Sequence, residues 1–207
     1  MPTDDGAPAV FLIDDDRDIR EALDALLRSV GLRVESFASV EDFTASGRLG
    51  EPGCLLLDVR LSGQSGLSFQ AELASRGIDV PIIFMSGHAD VPMAVRGMKA
   101  GAIEFLTKPL RPQDLIDAVN QGLARDVERR RERAERDAIA RARATLTQRE
   151  REVMDLVATG HSNRAIADTL GLSEATVKVH RAHVMQKMGA GSLAHLVTMA
   201  QTLKSQR

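Results

Sequence analysis

The sequence predicts an α/β protein in two parts: a doubly wound (βα)5 parallel-sheet unit, then a long helix leading into an all-α, four-helix unit. Three observations carry this prediction. Five short apolar runs alternate with helix-period segments over roughly the first 120 residues. From residue 124 the chain then reads ARDVERRRERAERDAIARARA, without Gly or Pro. After Leu146, helix-period segments are punctuated by Gly160, Gly171 and Gly189-Ala190-Gly191. The 207 residues suit one large domain or two small ones, and no tandem repeat is present.

The apolar runs are Val10 to Ile13, Val34 to Phe37, Cys54 to Leu57, Pro81 to Met85 and Ile103 to Leu106. They are apolar throughout rather than alternating, as strands must be when helices cover both faces of a parallel sheet. Between them Ile19/Leu23/Leu26/Leu27, Val40/Phe43, Leu67/Leu73, Val91/Val95/Met98 and Leu115/Ile116/Val119/Leu123 recur at helical spacing. In such a fold the functional groups gather where the strands end. The expected divisions are residues 1–124 for the α/β unit, 125–144 for a linker continuing its fifth helix, and 145–207 for the all-α unit.

In the linker, Val119, Leu123, Val127, Ala134 and Ala138 form a thin apolar stripe compatible with a two-stranded coil or with a solvated spacer held by ion pairs. Thr147 with Glu150 reads as a capping box and Ser173 as a second helix start. Helices of about 8 and about 14 residues joined by Leu170-Gly171-Leu172 have the dimensions of a helix-turn-helix.

Composition excludes a disordered tail, a collagen and a disulfide scaffold. The single cysteine, Cys54, cannot form an internal disulfide, which suits the cytoplasm, and neither a signal peptide nor a membrane span is expected. The net charge of −2 hides an asymmetry. Residues 1–124 carry 11 Lys and Arg against 19 Asp and Glu, a net −8, whereas 125–144 and 145–207 each carry 8 against 5, a net +3. A basic C-terminal part is suited to a polyanion.

Asp14, Asp15 and Asp16 follow the first strand and Asp58 the third, and the first and third strands should be neighbours. Crowded carboxylates repel, so an oxygen-only site of this kind calls for a divalent cation, Mg2+ rather than zinc. Asp16 alone reads as a helix N-cap. The fourth strand ends at Ser86-Gly87 and the fifth at Lys108-Pro109, adding a hydroxyl and an ammonium to the same rim. A carboxylate nucleophile, a metal, a hydroxyl and an ammonium are the parts needed to accept a phosphoryl group, with Asp58 as acceptor.

Asp14-Asp15, Asp58, Gly66, Ser86 and Lys108-Pro109 together resemble the receiver domain of two-component response regulators, and residues 87–109, GHADVPMAVRGMKAGAIEFLTKP, are similar to the FixJ-type subgroup. The resemblance implies that Asp58 accepts the phosphoryl group from a sensor histidine kinase. It also implies that Asp14, Asp15, Asp58 and the backbone carbonyl of Arg60 hold Mg2+, that Lys108 pairs with the phosphoryl oxygens, and that the Lys108-Pro109 bond is cis. Ser86 and Phe105 would be the switch residues, changing the surface of the fourth helix, fifth strand and fifth helix; Phe105 reads equally as a core strand residue. Arg60 and His88 would influence how long the phosphoryl group survives. The loop Val59-Arg60-Leu61-Ser62-Gly63 departs from the family's usual Met-Pro, and Leu110 stands where Phe often follows Lys-Pro. Ser62 is expected to leave that loop less rigid, since it lacks proline's fixed φ.

Leu146 to Val153, Gly160-His161-Ser162-Asn163, Ile166-Ala167 and Thr176 to His180 resemble the LuxR-type helix-turn-helix over residues 146–203. That implies a recognition helix from Glu174 to Lys187, with Val177, Val184 and Met188 buried and Lys178, Val179, Arg181 and Ala182 outward. Lys178 would donate to a base edge and Val179 meet a thymine methyl, with His180, His183, Arg181 and Lys187 on phosphates. Ala182 stands where several members carry a third basic contact.

The expected function is therefore a non-enzymatic transcriptional regulator that dimerises on phosphorylation of Asp58 and binds promoter DNA, with RNA polymerase as a further partner. Two alternatives stand beside it: a phosphorylation-independent DNA-binding regulator, and a Mg-dependent aspartyl phosphatase. Such phosphatases commonly place a second Asp two positions after the nucleophile, where this chain has Arg60.

Overall fold

The computed structural model describes residues 7–87 and 91–204, which fall into two compact units that divide between residues 129 and 130. In the first unit, β1 (Ala9–Ile13), β2 (Arg33–Phe37), β3 (Gly53–Asp58), β4 (Ile82–Ser86) and β5 (Glu104–Thr107) alternate with α1 (Arg17–Ser29), α2 (Val40–Ala45), α3 (Gly66–Ser75), α4 (Val91–Lys99) and α5 (Pro112–Ala144). The strands form one parallel sheet in the order β2-β1-β3-β4-β5. The doubly wound (βα)5 expectation is met.

Successive strand residues point to opposite faces, so each strand feeds two cores. Phe11, Ile13, Leu55, Leu57 and Phe84 pack with Phe43, Phe69 and Leu73 on one face. Val10, Leu12, Cys54, Leu56, Ile83 and Met85 pack with Leu23, Leu27, Leu115 and Val119 on the other. This two-sided burial is the physical reason that the strands read as unbroken apolar runs. Because β1 pairs with β3 in register up to Ile13 and Leu57, Asp14 and Asp58 emerge side by side.

The apolar stripe read along the linker is divided. Val119 and Leu123 pack into the first unit's core, where they are unavailable to a coil, while Val127 is 57% exposed. The buried Asp126 carboxylate accepts the Gly53 N–H at 2.9 Å and pairs with Arg129 one turn on, so α5 stays tied to the sheet as far as Asp126, beyond the expected limit at 124. Ile139 belongs to the core of the second unit.

That second unit consists of the end of α5 with α6 (Gln148–Ala158), α7 (Asn163–Leu170), α8 (Glu174–Met188) and α9 (Leu193–Lys204). Val153, Met154, Val157, Ile166, Val177, Val184, Met188 and Leu196 fill its core. The capping box of Thr147 and Glu150 opens α6, and Ser173 caps α8 by accepting the Thr176 N–H at 3.1 Å. Gly171 ends α7 in the left-handed region at φ 66°, a conformation that glycine adopts without steric cost.

Candidate functional site

The carboxyl ends of β1, β3, β4 and β5 form one rim. Asp14 is fully buried; its Oδ1 accepts the Asp16 N–H at 2.9 Å and its carbonyl accepts from Arg20 at 2.6 Å. Asp58 ends β3 and its Oδ1 accepts the Arg60 N–H at 3.1 Å. From the end of β5, the Lys108 ammonium donates to Asp14 Oδ2 and Asp58 Oδ2, each at 2.7 Å. Ser86 is buried beside them, its carbonyl accepting the Lys108 N–H at 2.8 Å, and the Lys108-Pro109 peptide is cis. Asp16 caps α1, accepting from Asp18 and Ile19.

Burial pushes the Asp14 carboxyl above its ordinary value, against the opposing pull of Lys108. Burial works against the Lys108 ammonium too, but its hydrogen bonds to Asp14 and Asp58 outweigh it and raise its pKa. Asp15 is exposed, and the Ser62 hydroxyl leads in holding its carboxyl low. Asp14, Asp15 and Asp58 each offer a carboxylate oxygen, all within 4.8 Å of one another. An all-oxygen, anionic donor set without His or Cys fits a hard cation such as Mg2+.

Gly66 opens α3 against this rim, where a Cβ would collide with the Asp58 carbonyl oxygen. The spacing of eight residues between Asp58 and Gly66 thus reflects a close approach of backbone to the acid strand. Phe105 is half-buried on β5, its ring 6.2 Å from that of Phe84. His88 lies outside the described residues.

In the helical unit, α7, the Gly171 turn and α8 form a helix-turn-helix. Lys178, Val179, Ala182 and His183 are exposed on α8, opposite the buried Val177, Val184 and Met188. Arg181 is half-buried and donates to Asn163 Oδ1 at the start of α7, and His180 is half-buried.

Comparison with known proteins matches residues 10–120 to the response regulator receiver domain and residues 144–200 to the bacterial regulatory proteins of the luxR family. The chain is 50% identical over 197 residues to nodulation protein W of Bradyrhizobium diazoefficiens, covering 94% of this chain and 86% of that protein. It is 44% identical over 191 residues to the transcriptional regulatory protein FixJ of Azorhizobium caulinodans, covering 92% and 90%. The chain belongs to the two-component response regulators. Among solved structures, that of the response regulator StyR superposes with a TM-score of 0.81 at 46% identity, covering 94% of this chain and 98% of that one. Full-length FixJ from B. japonicum superposes with a TM-score of 0.58 at 34% identity, covering 98% and 100%.

This response regulator thus pairs a receiver domain with a LuxR-type DNA-binding domain and acts as a transcription regulator. Among the described residues no helix is long and apolar enough to cross a membrane. One feature of the receiver was not foreseen. Ser62, expected only to lack proline's fixed φ, ties the loop after β3 to the acid cluster: its N–H donates to Asp15 Oδ2 at 3.1 Å and its hydroxyl donates to the same oxygen. Nothing in the local sequence signals this tie, which joins residues 47 positions apart.

A second unforeseen pairing lies in the DNA-binding domain of the response regulator. Lys187 donates to both oxygens of the buried Glu150, at 2.9 and 2.6 Å, with His183 Nδ1 3.7 Å away. Glu150 also accepts the Thr147 N–H at 2.8 Å. Lys187 foremost, then that backbone N–H, hold the Glu150 carboxyl at about 2, against an ordinary 4.5. A depressed carboxyl contributes stability that is complete above its unfolded value and is lost as pH falls through its folded value. Glu150→Gln is expected to cost about 1.5 kcal/mol at neutral pH. It should also remove the acid-induced loss of stability between pH 4.5 and about 2 that this group causes. Urea unfolding of wild type and variant across that range, followed by far-UV circular dichroism, checks both.

Proposed function

We propose that Asp58 accepts a phosphoryl group from a sensor histidine kinase, and that the phosphorylated chain dimerises, binds promoter DNA and engages RNA polymerase in the cytoplasm. The observation that carries this reading is the Lys108 ammonium shared between Asp14 and Asp58 at 2.7 Å. It fixes the nucleophile at a buried rim and keeps a cation in place for the oxygens that arrive. An Asp58 oxygen attacks the phosphorus, the phosphorus–nitrogen bond to the kinase histidine breaks, and the histidine nitrogen keeps the electron pair. Mg2+ held by Asp14, Asp15, Asp58 and the Arg60 carbonyl would neutralise the charge gathered there.

Lys108 then pairs with phosphoryl oxygens, the Ser86 hydroxyl turns toward them, and Phe105 moves inward. On α4, Val91, Val95 and Met98 are 68%, 44% and 41% exposed at helical spacing, an apolar face that supports pairing of two receivers. Lys178 and Val179 read bases, Arg181, His180 and His183 accompany them, and Ala182 leaves room rather than a cation. The receiver part is residues 1–124 extended through the Asp126 anchor, 125–144 is the helical connection, and 145–207 is the DNA-binding part. No second acid stands two residues after Asp58, so the chain is a phosphoryl acceptor that loses its own phosphoryl group slowly rather than a turnover enzyme. Sedimentation velocity with Mg2+ and beryllofluoride, a mimic of the aspartyl phosphate, tests this. Wild type is expected to shift to dimer and Asp58→Ala is not; no shift in wild type, or the same shift in both, would overturn the phosphorylation switch.

A further inference from the structure

We propose that Ser62 positions Asp15 for cation binding, holding the loop after β3 against the acid cluster before any cation arrives. This rests on the reading of Asp14, Asp15 and Asp58 as the Mg2+ site. Asp15 is exposed, and an exposed carboxylate ordinarily samples several rotamers. Here one oxygen, Oδ2, receives two donors from a single residue, the Ser62 N–H at 3.1 Å and the Ser62 hydroxyl. The same loop is tied a second time, by the Arg60 N–H on Asp58 Oδ1 at 3.1 Å. The backbone between these two ties carries the Arg60 carbonyl.

A carboxylate has about four lone-pair directions over its two oxygens. Ser62 occupies Oδ2, which leaves Oδ1 for a cation or its water. Mg2+ tolerates little departure from octahedral geometry and sheds water reluctantly, so a carboxylate already oriented binds it with less ordering cost than one that must be caught. Ser62 is thus a positioning residue acting through Asp15. Thr at 62 retains both donors, Ala retains the N–H alone, and Pro retains neither.

The test is Mg2+ titration of the full chain by isothermal calorimetry, with thermal unfolding in EDTA as a measure of fold. Wild type, S62A, S62T and Asp15→Asn are compared. S62A is expected to weaken Mg2+ binding about fivefold, since it removes part of the ordering of Asp15 and no contact to the cation itself. S62T is expected to bind within about twofold of wild type, and S62A to melt in EDTA within about four degrees of it. If wild type binds Mg2+ and Asp15→Asn does not, then S62A binding equal to or tighter than wild type overturns the role of Ser62, as does a failure of S62T to restore it. If wild type fails to bind Mg2+, or Asp15→Asn binds as tightly as wild type, the cation site itself is misassigned and this role falls with it.

Discussion

Lys108→Ala is expected to lower the stability of the receiver by about 3 kcal/mol at neutral pH in EDTA, with Mg2+ restoring most of the loss. The variant leaves Asp14, fully buried, and Asp58, 6% exposed, facing one another without the ammonium that now bridges them at 2.7 Å. Removing one partner from a buried ion pair costs about 3–5 kcal/mol, and the 16% exposure of the Lys108 side chain places this case at the low end. The sign of the pH dependence follows from Asp14. Its carboxyl already lies above 3.8 because of burial, and losing Lys108 removes the main opposing influence. A carboxyl that holds its proton more tightly when folded penalises the fold fully above its folded pKa, and the penalty fades as pH falls through that value. The gap between wild type and variant should therefore narrow on acidification. With no Trp or Tyr in the chain, unfolding is followed by far-UV circular dichroism. A gap that is constant with pH and indifferent to Mg2+ would mean that Lys108 contributes packing rather than charge.

The acidic rim was legible in the sequence because each of its members sits at the end of a strand, and parallel topology delivers strand ends to one edge. Asp14, Asp58, Ser86 and Lys108 needed only the alternation of apolar runs and helices to be gathered, whereas Gly66 came only with the resemblance to the receiver family. The pairings that escaped are those that cross between elements without a local pattern. Ser62 reaches Asp15 over 47 residues and Lys187 reaches Glu150 over 37, and in each case both residues were singled out for other reasons while the pairing was not. The capping box showed that Glu150 would accept the Thr147 N–H, yet nothing in LTQRERE says that a lysine two helices later completes its coordination. The linker stripe stayed ambiguous for a related reason. Helical periodicity reports that one side of α5 is apolar, but where that side passes from the sheet to solvent is decided by packing: Val119 and Leu123 lie against the sheet while Val127 is exposed.

Two lysines on α8 should consequently behave in opposite ways. Lys178→Ala is expected to weaken binding to a DNA fragment selected by the wild-type protein roughly 10- to 100-fold, the range for loss of a side chain that reads a base edge, while leaving stability unchanged. Lys178 is exposed on the outward face beside Val179, which is 54% exposed, so nothing inside the domain depends on it. Lys187→Ala is expected to change DNA affinity less than about threefold but to destabilise the domain by about 2 kcal/mol, since it leaves Glu150 buried without its cation. Fluorescence polarisation at several salt concentrations separates charge from structure, because removing a cation from one DNA phosphate lowers the salt dependence by about one unit of slope. A Lys187 variant whose slope falls by that amount would place its ammonium on the DNA backbone. An unchanged slope with lowered stability would assign it to bracing the recognition helix against α6, so that the basic face of the domain is narrower than its lysine and histidine content suggests.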